Sequence, residues 1–168
     1  MRLRYYILLG FVVCIGLLMG INAFIKGKGP DRKAARNLAH SPGNTTYYVD
    51  STRGDDQHDG TTPENAWKTL DRANGVLFAA GDKILLKAGS RFSGQLAPWG
   101  SGKEGASIII DRYGEGEKPR IDAGGRFHEA LLLENQEYWE VNNLELTNQG
   151  RVQRGYRYGV RVAAWDFG

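Results

Sequence analysis

Five carboxylates end or directly follow short apolar runs: Asp111, Asp122, Glu134, Glu145 and Asp166. Glycoside hydrolysis needs two carboxyl groups facing one another across a groove. Any two of these could do so, and spacing alone selects no pair. A second cluster is basic. Arg151, Arg154 and Arg157, followed by Arg161 and interleaved with Tyr156 and Tyr158, suit an acidic glycan as substrate. Lyase chemistry on uronic acids needs such a cation to neutralise the sugar carboxylate, and a Lys, Arg or His base near neutral pKa. A solvated basic loop has the same composition. Asp55, Asp56 and Asp59 offer the hard oxygens that calcium takes, which makes Ca2+ the cofactor to consider. The glycine and distal glutamate of an EF-hand loop are missing, and Asp and Gly are also ordinary turn residues. His40, His58 and His128 are isolated and lack metal-ligand spacing. Cys14 is the sole cysteine, which removes an internal disulfide and a thiolate metal site. Trp99, Trp139 and Trp165 could stack on sugar rings, although Trp139 lies inside a strand-like run.

Charge divides the chain. Residues 1–40 hold seven Lys/Arg against one acid, and residues 41–168 hold 15 basic and 18 acidic residues. The overall +3 therefore belongs to the N-terminal segment. A slightly acidic remainder argues against nucleic acid, whose phosphates need a basic face. Residues 5–25 form an apolar run flanked by Arg2, Arg4, Lys26 and Lys28. About 20 apolar residues span a bilayer as a helix, and a basic start also marks a secretory signal. Residues 1–25 thus predict a signal peptide cut after Ala23 or, with its long run and bulky Ile21, a signal anchor holding the rest outside the cytoplasm. Residues 26–44 are polar with Gly and Pro, as a linker would be.

Residues 45–168 must position the candidate groups. Tyr47-Tyr48-Val49 is a strand signal, followed by turn formers to Thr61. Thr62 reads as an N-cap with Pro63 at the first helical position, and Trp67, Leu70 and Leu77 recur at helical spacing. The spacing predicts an amphipathic helix over 64–78, stopped by Gly81. Short apolar runs then begin at Ile84, Ile108, Leu131 and Val160, in steps of 24, 23 and 29. A second series holds Phe92 to Leu96, Arg120-Ile121-Asp122 and Leu144-Glu145-Leu146. Such steps suggest a solenoid in which short strands stack on copies of themselves. The expected fold is all-β, a right-handed parallel β-helix, with the helix as an N-terminal cap and a hydrophobic leader before it. Residues Gln149–Tyr158 would bulge at a corner, and Asn135, Asn142-Asn143 and Asn148 would turn corners. The last run has no cap after it, so the chain reads as about the first three coils of a longer solenoid.

Several blocks resemble secreted bacterial β-helix proteins. They are Gly54-Asp55-Asp56, Ala66-Trp67-Lys68-Thr69-Leu70, Gly81-Asp82-Lys83-Ile84-Leu85-Leu86, Tyr113-Gly114-Glu115-Gly116 with Pro119-Arg120-Ile121-Asp122, and Tyr138-Trp139-Glu140-Val141. On these, residues 46–168 resemble the N-terminal part of the pectate-lyase-like superfamily. The resemblance implies an exported protein acting on extracellular polysaccharide as a lyase, glycoside hydrolase or epimerase, with its catalytic residues on later coils. The alternative is a non-catalytic glycan-binding or adhesin-like surface β-helix.

Overall fold

A computed structural model of the chain describes residues 38–151 and 155–165. The apolar run 5–25, and with it the expected membrane contact, lies outside the described residues, as does most of 26–44. Among the described residues no helix is long and apolar enough to cross a membrane.

The described chain is mostly β, with one short helix. The strands are β1 (Ala39–His40), β2 (Thr46–Val49), β3 (Val76–Phe78), β4 (Lys83–Lys87), β5 (Arg91–Ser93) and β6 (Trp99–Gly100). They continue as β7 (Ile108–Tyr113), β8 (Arg120–Asp122), β9 (Glu129–Glu134), β10 (Trp139–Val141), β11 (Glu145–Thr147) and β12 (Tyr158–Ala163). Helix α1 is Leu70–Asn74. The strands form four sheets, ordered β1-β3-β6, β10-β7-β4-β2, β11-β8-β5 and β12-β9. Every pairing between these strands is parallel.

The register stacks like on like. Tyr47 pairs with Ile84, Ile84 with Ile110, and Ile110 with Val141. Phe92 pairs with Ile121, and Ile121 with Leu146. Leu96 bridges to Leu131, which pairs with Val160. Alternate residues of a strand point to opposite faces, so each stack lines one inner wall. Val49, Ile84, Leu86, Leu96, Ile108, Ile110, Ile121 and Leu131 are fully buried there. At roughly 25 cal/mol per Å² of apolar surface, this burial is the main favourable term for strands this short.

Several expectations are corrected. The run at Leu131 does not continue the series from Ile84 and Ile108. The next strand on β7 is β10, while Leu131 belongs to a separate ladder with Leu96 and Val160. In the second series Leu146 is the residue that stacks on Ile121. The helix over 64–78 shrinks to α1. Thr62 caps a single turn, its hydroxyl accepting from Asn65 N–H at 3.2 Å. Trp67 is extended, bridging Val49 and donating its N–H to Tyr48 O at 2.9 Å. Val76-Leu77-Phe78, β-branched and aromatic, joins β1 and β6. Trp67 and Leu70 are buried and Leu77 is half-buried, in three different local structures that together mimic helical spacing. Ala39–His40, at the end of the segment read as a linker, pairs with Val76 and Leu77.

Close packing around Trp67 sets backbone demands. Its ring stacks on Tyr47 at 4.9 Å, and the Arg72 guanidinium lies 5.0 Å from its centroid. Gly60 has φ +78, and a β-carbon there would meet the Trp67 ring. Asn135 and Asn143 turn corners in the left-handed region, φ 52 and 51, whereas Asn148 works through its side chain. Asp82 is fully buried, yet its carboxylate accepts from Thr45 N–H at 2.9 Å and Ala79 N–H at 2.7 Å.

On the outer face of the β2-β4-β7 sheet, Tyr113 packs edge-on against Tyr48 at 5.0 Å, with Lys87 Nζ 5.2 Å from its centroid. Its buried hydroxyl has no partner among the described residues. Burial first, then the nearby Asp50 charge, pushes its pKa up to about 12. A raised folded value means stability that is complete below the ordinary value of 10.0 and lost as pH rises toward 12. Tyr113→Phe removes an unpaired polar group, so it should be neutral or stabilising by up to about 1 kcal/mol at pH 7. It should also flatten the alkaline loss measured by urea unfolding. A cost above about 2 kcal/mol would reveal a missing partner for the hydroxyl.

Candidate functional site

Glu129 opens β9 with its side chain 5% exposed. Gln95 reaches it because Leu96 is held to the same strand, donating its N–H to Ala130 O at 2.8 Å and accepting from Leu132 N–H at 3.0 Å. Gln95 Nε2 donates to Glu129 Oε2 at 3.2 Å and to Glu129 O at 3.1 Å. From β12, Arg161 Nη1 donates to Glu129 Oε1 at 3.1 Å. Arg161 is 46% exposed, and its Cζ stands 5.8 Å from the Trp165 ring centroid. Trp165 is anchored through its N–H to Asn135 Oδ1 at 2.9 Å and is itself 53% exposed. Gln95, Glu129, Arg161 and Trp165 thus form a continuous line across three neighbouring passes of the chain. Its buried carboxylate orients a half-exposed guanidinium whose remaining N–H groups can donate to a ligand oxygen.

The turn before β9 is pinned to the same region. Asn148 Oδ1 accepts from Gly125 N–H at 2.9 Å, and its Nδ2 donates to Phe127 O and His128 O at 3.0 Å each. Arg157 packs against the same turn. A β-carbon at Gly125 would lie 2.9 Å from its guanidinium carbon, and one at Gly150 would lie 2.8 Å from its Nη1. Arg157, Asn148, Gln149 and Gly150 border an open depression of about 450 Å³. Of the arginines singled out by sequence, Arg157 sits here, Arg151 is exposed beside it without lining it, and Arg154 lies outside the described residues.

The other sequence candidates among the described residues have structural partners. Asp111 Oδ1 accepts from Asn143 Nδ2 at 2.9 Å, and Asp122 Oδ1 from Gly124 N–H at 2.8 Å. Glu145 pairs with Arg120 at 3.5 Å, Glu134 ends β9 half-buried, and Asp166 lies outside the described residues. Asp55 and Asp59 accept from Gln57 and Thr61 N–H at 2.9 and 2.8 Å, closing local turns. Asp56 accepts from Lys68 and Thr69 N–H at 2.8 and 2.9 Å and from the Thr69 hydroxyl at 2.7 Å. Among the described residues, no three His, Cys, Asp or Glu side chains gather as a metal ion would need. Trp139 packs on Phe78 at 6.4 Å and donates to Gly100 O at 3.0 Å, which leaves Trp165 as the exposed ring. Glu129 escaped the sequence reading. The only hint of it is a carboxylate in phase with Leu131 and Leu133 at the head of an apolar run.

No family model matches the chain. It is similar to a lacto-N-biosidase of Bifidobacterium longum subsp. longum, 29% identical over 163 residues, covering 81% of this chain and 10% of that protein. It is also similar to alpha-1,3-galactosidase A of Akkermansia muciniphila, 31% identical over 98 residues, covering 57% of this chain and 16% of that protein. Among solved structures it resembles a GH136 lacto-N-biosidase from Eubacterium ramulus, at 34% identity and a TM-score of 0.61, covering 65% of this chain and 21% of that one. The native form of that protein gives a TM-score of 0.57 at 32% identity. The chain therefore spans between a tenth and about a fifth of the length of these relatives. These likenesses correct the resemblance to the pectate-lyase-like superfamily. The chain is similar to glycoside hydrolases, and to GH136 lacto-N-biosidase in structure.

Two measurements check this geometry. Arg161→Ala leaves Glu129 with Gln95 alone and should cost about 1–2 kcal/mol in urea unfolding, less than a fully buried broken pair because Arg161 is half-exposed. Glu129→Gln in that background should recover part of the loss; no loss at all would mean a solvent-screened pair. For Asp56, burial raises the pKa but is outweighed by the Thr69 and Lys68 hydrogen bonds and by Arg72, so the net shift is down from 3.8. Its stabilisation is then present above 3.8 and lost as pH falls through the folded value. Asp56→Asn should cost about 1 kcal/mol at pH 7, and the gap to the native protein should close in acid.

Proposed function

We propose that the chain forms the opening coils of a right-handed parallel β-helix in a glycan-acting protein of the glycoside hydrolase class. The observation that carries this is the likeness to GH136 lacto-N-biosidase, at 34% identity over 65% of this chain. The four parallel ladders, each strand pairing with its equivalent one pass along the chain, support the β-helix reading. Glycans are the substrate class, with oligosaccharides ending in lacto-N-biose or α-1,3-linked galactose first among them. Arg161 and Trp165 face the glycan, and Arg151, Arg154 and Arg157 extend the contact if it is acidic. Residues 1–25 act as the export signal or anchor, so the protein works outside the cytoplasm.

A second reading is a glycan-binding surface module without turnover. It draws support from the carboxylates, since Asp111, Asp122, Glu129 and Glu145 each serve a hydrogen bond or ion pair. Incubation of the protein with lacto-N-biose-capped oligosaccharides, α-1,3-galactosides, pectin, alginate, xylan and glycosaminoglycans separates the two. Release of a sugar from a lacto-N-biose or galactoside substrate, read by mass spectrometry, is the expected result. Retention on a glycan without product would favour the binding module. Neither retention nor product on any glycan would sink both.

A further inference from the structure

A second cavity is lined in part by Gln95, the partner of the Glu129 carboxylate. Its volume is about 320 Å³, and its walls come from the first turn of α1, the Ser93–Gln95 turn and Arg126–Phe127. That size lies at the small end of the range for ligand pockets, enough for one or two sugar rings. The floor is fixed in advance. Asn74 Nδ2 donates to Gln95 O at 2.9 Å, and Asn74 Oδ1 accepts from Ala97 N–H at 2.7 Å. Gln95 is held in turn by Glu129, as described above. Such a site loses little conformational freedom when a ligand enters.

Four features of the rim point to one kind of ligand. Phe127 is 41% exposed although it is a large aromatic on a pinned turn. Its backbone carbonyl is held by Asn148, so the ring is presented from a fixed point. Gly94, at φ +142, has no atom within 4 Å of where a β-carbon would stand, so its bare peptide opens onto the cavity. Arg126 reaches across to donate Nη2–H to Ser93 Oγ at 2.9 Å, which leaves its other N–H groups for a ligand. Asp71, exposed in the first turn of α1, borders the same space with an acceptor-only carboxylate. One cation and one anion cancel, so the rim favours a neutral molecule that offers both donors and acceptors. An apolar ring face flanked by hydroxyls meets all of these demands.

We infer that this cavity is a subsite for a neutral hexose or N-acetylhexosamine ring. The ring lies with one face on Phe127 and its hydroxyls between Arg126 and Asp71. Because Gln95 belongs both to this cavity and to the line ending at Trp165, a longer glycan can run from one to the other. The choice of ligand rests on the glycan reading above.

Saturation-transfer NMR on the purified protein tests the subsite, with lactose and N-acetylglucosamine as neutral probes and galacturonate as the acidic one. The neutral probes should bind, and Phe127→Ala should weaken them about tenfold, the worth of one aromatic contact. Asp71→Asn should weaken them as well, with melting temperatures unchanged because both side chains are exposed. Native-level binding by folded Phe127→Ala, tighter binding of galacturonate than of lactose, or no binding of either neutral probe each overturns the subsite. Sugar release that persists in those cases leaves the glycan reading standing, whereas absence of both binding and release removes the two together.

Discussion

Strands of two to six residues have no stability of their own, and what holds this chain together is the in-register stacking of one pass on the next. Each parallel ladder supplies the backbone hydrogen bonds that a lone short strand would leave to water. Each stack of Ile, Leu, Val and Phe supplies the burial. The two are coupled. A slip of one residue would send Ile84 and Ile110 outward and bring Leu85 and Asp111 into the core. Everything that follows at the surface, including the placement of Glu129 against Arg161, inherits this register.

A buried polar group is costly unless satisfied, as the Tyr113 hydroxyl is not, and several of the satisfied ones here fasten corners. Asp82, Asn74 and Asn148 accept or donate across passes of the chain far apart in sequence. Glu129 does the same with charge, tying Gln95 and Arg161 to the head of β9. This explains why most of the acidic residues that look catalytic in the sequence have other work. Asx turns and corner bonds need carboxylates for the same reason that acid catalysis does, namely strong acceptors held at fixed positions.

The likeness to glycoside hydrolases concerns a small fraction of much longer proteins. The chain itself exposes Phe127 and Trp165, half-exposes Arg161 and carries two polar cavities. Rings and multivalent donors on a rigid frame suit polyhydroxylated ligands, because the frame has already met the cost of ordering.

Sequence by itself determined the class of fold and several of its details. Alternating short apolar runs with Gly, Asn and Asp between them imply many short strands, and the left-handed corners at Asn135 and Asn143 follow from residue type. The mildly acidic balance of residues 41–168 and the lone cysteine also needed no structure. Only the tertiary structure decided which run stacks on which. Ile108, Leu131 and Trp139 all head apolar segments, and nothing local says that β7 passes over Leu131 to pair with β10. It likewise decided that Trp67, Leu70 and Leu77, helically spaced, occupy a bridge, a helix and a strand. The candidate site was the least legible part. Glu129, Arg161 and Gln95 are far apart in sequence and chemically ordinary, and only the register of parallel ladders brings them within hydrogen-bonding distance.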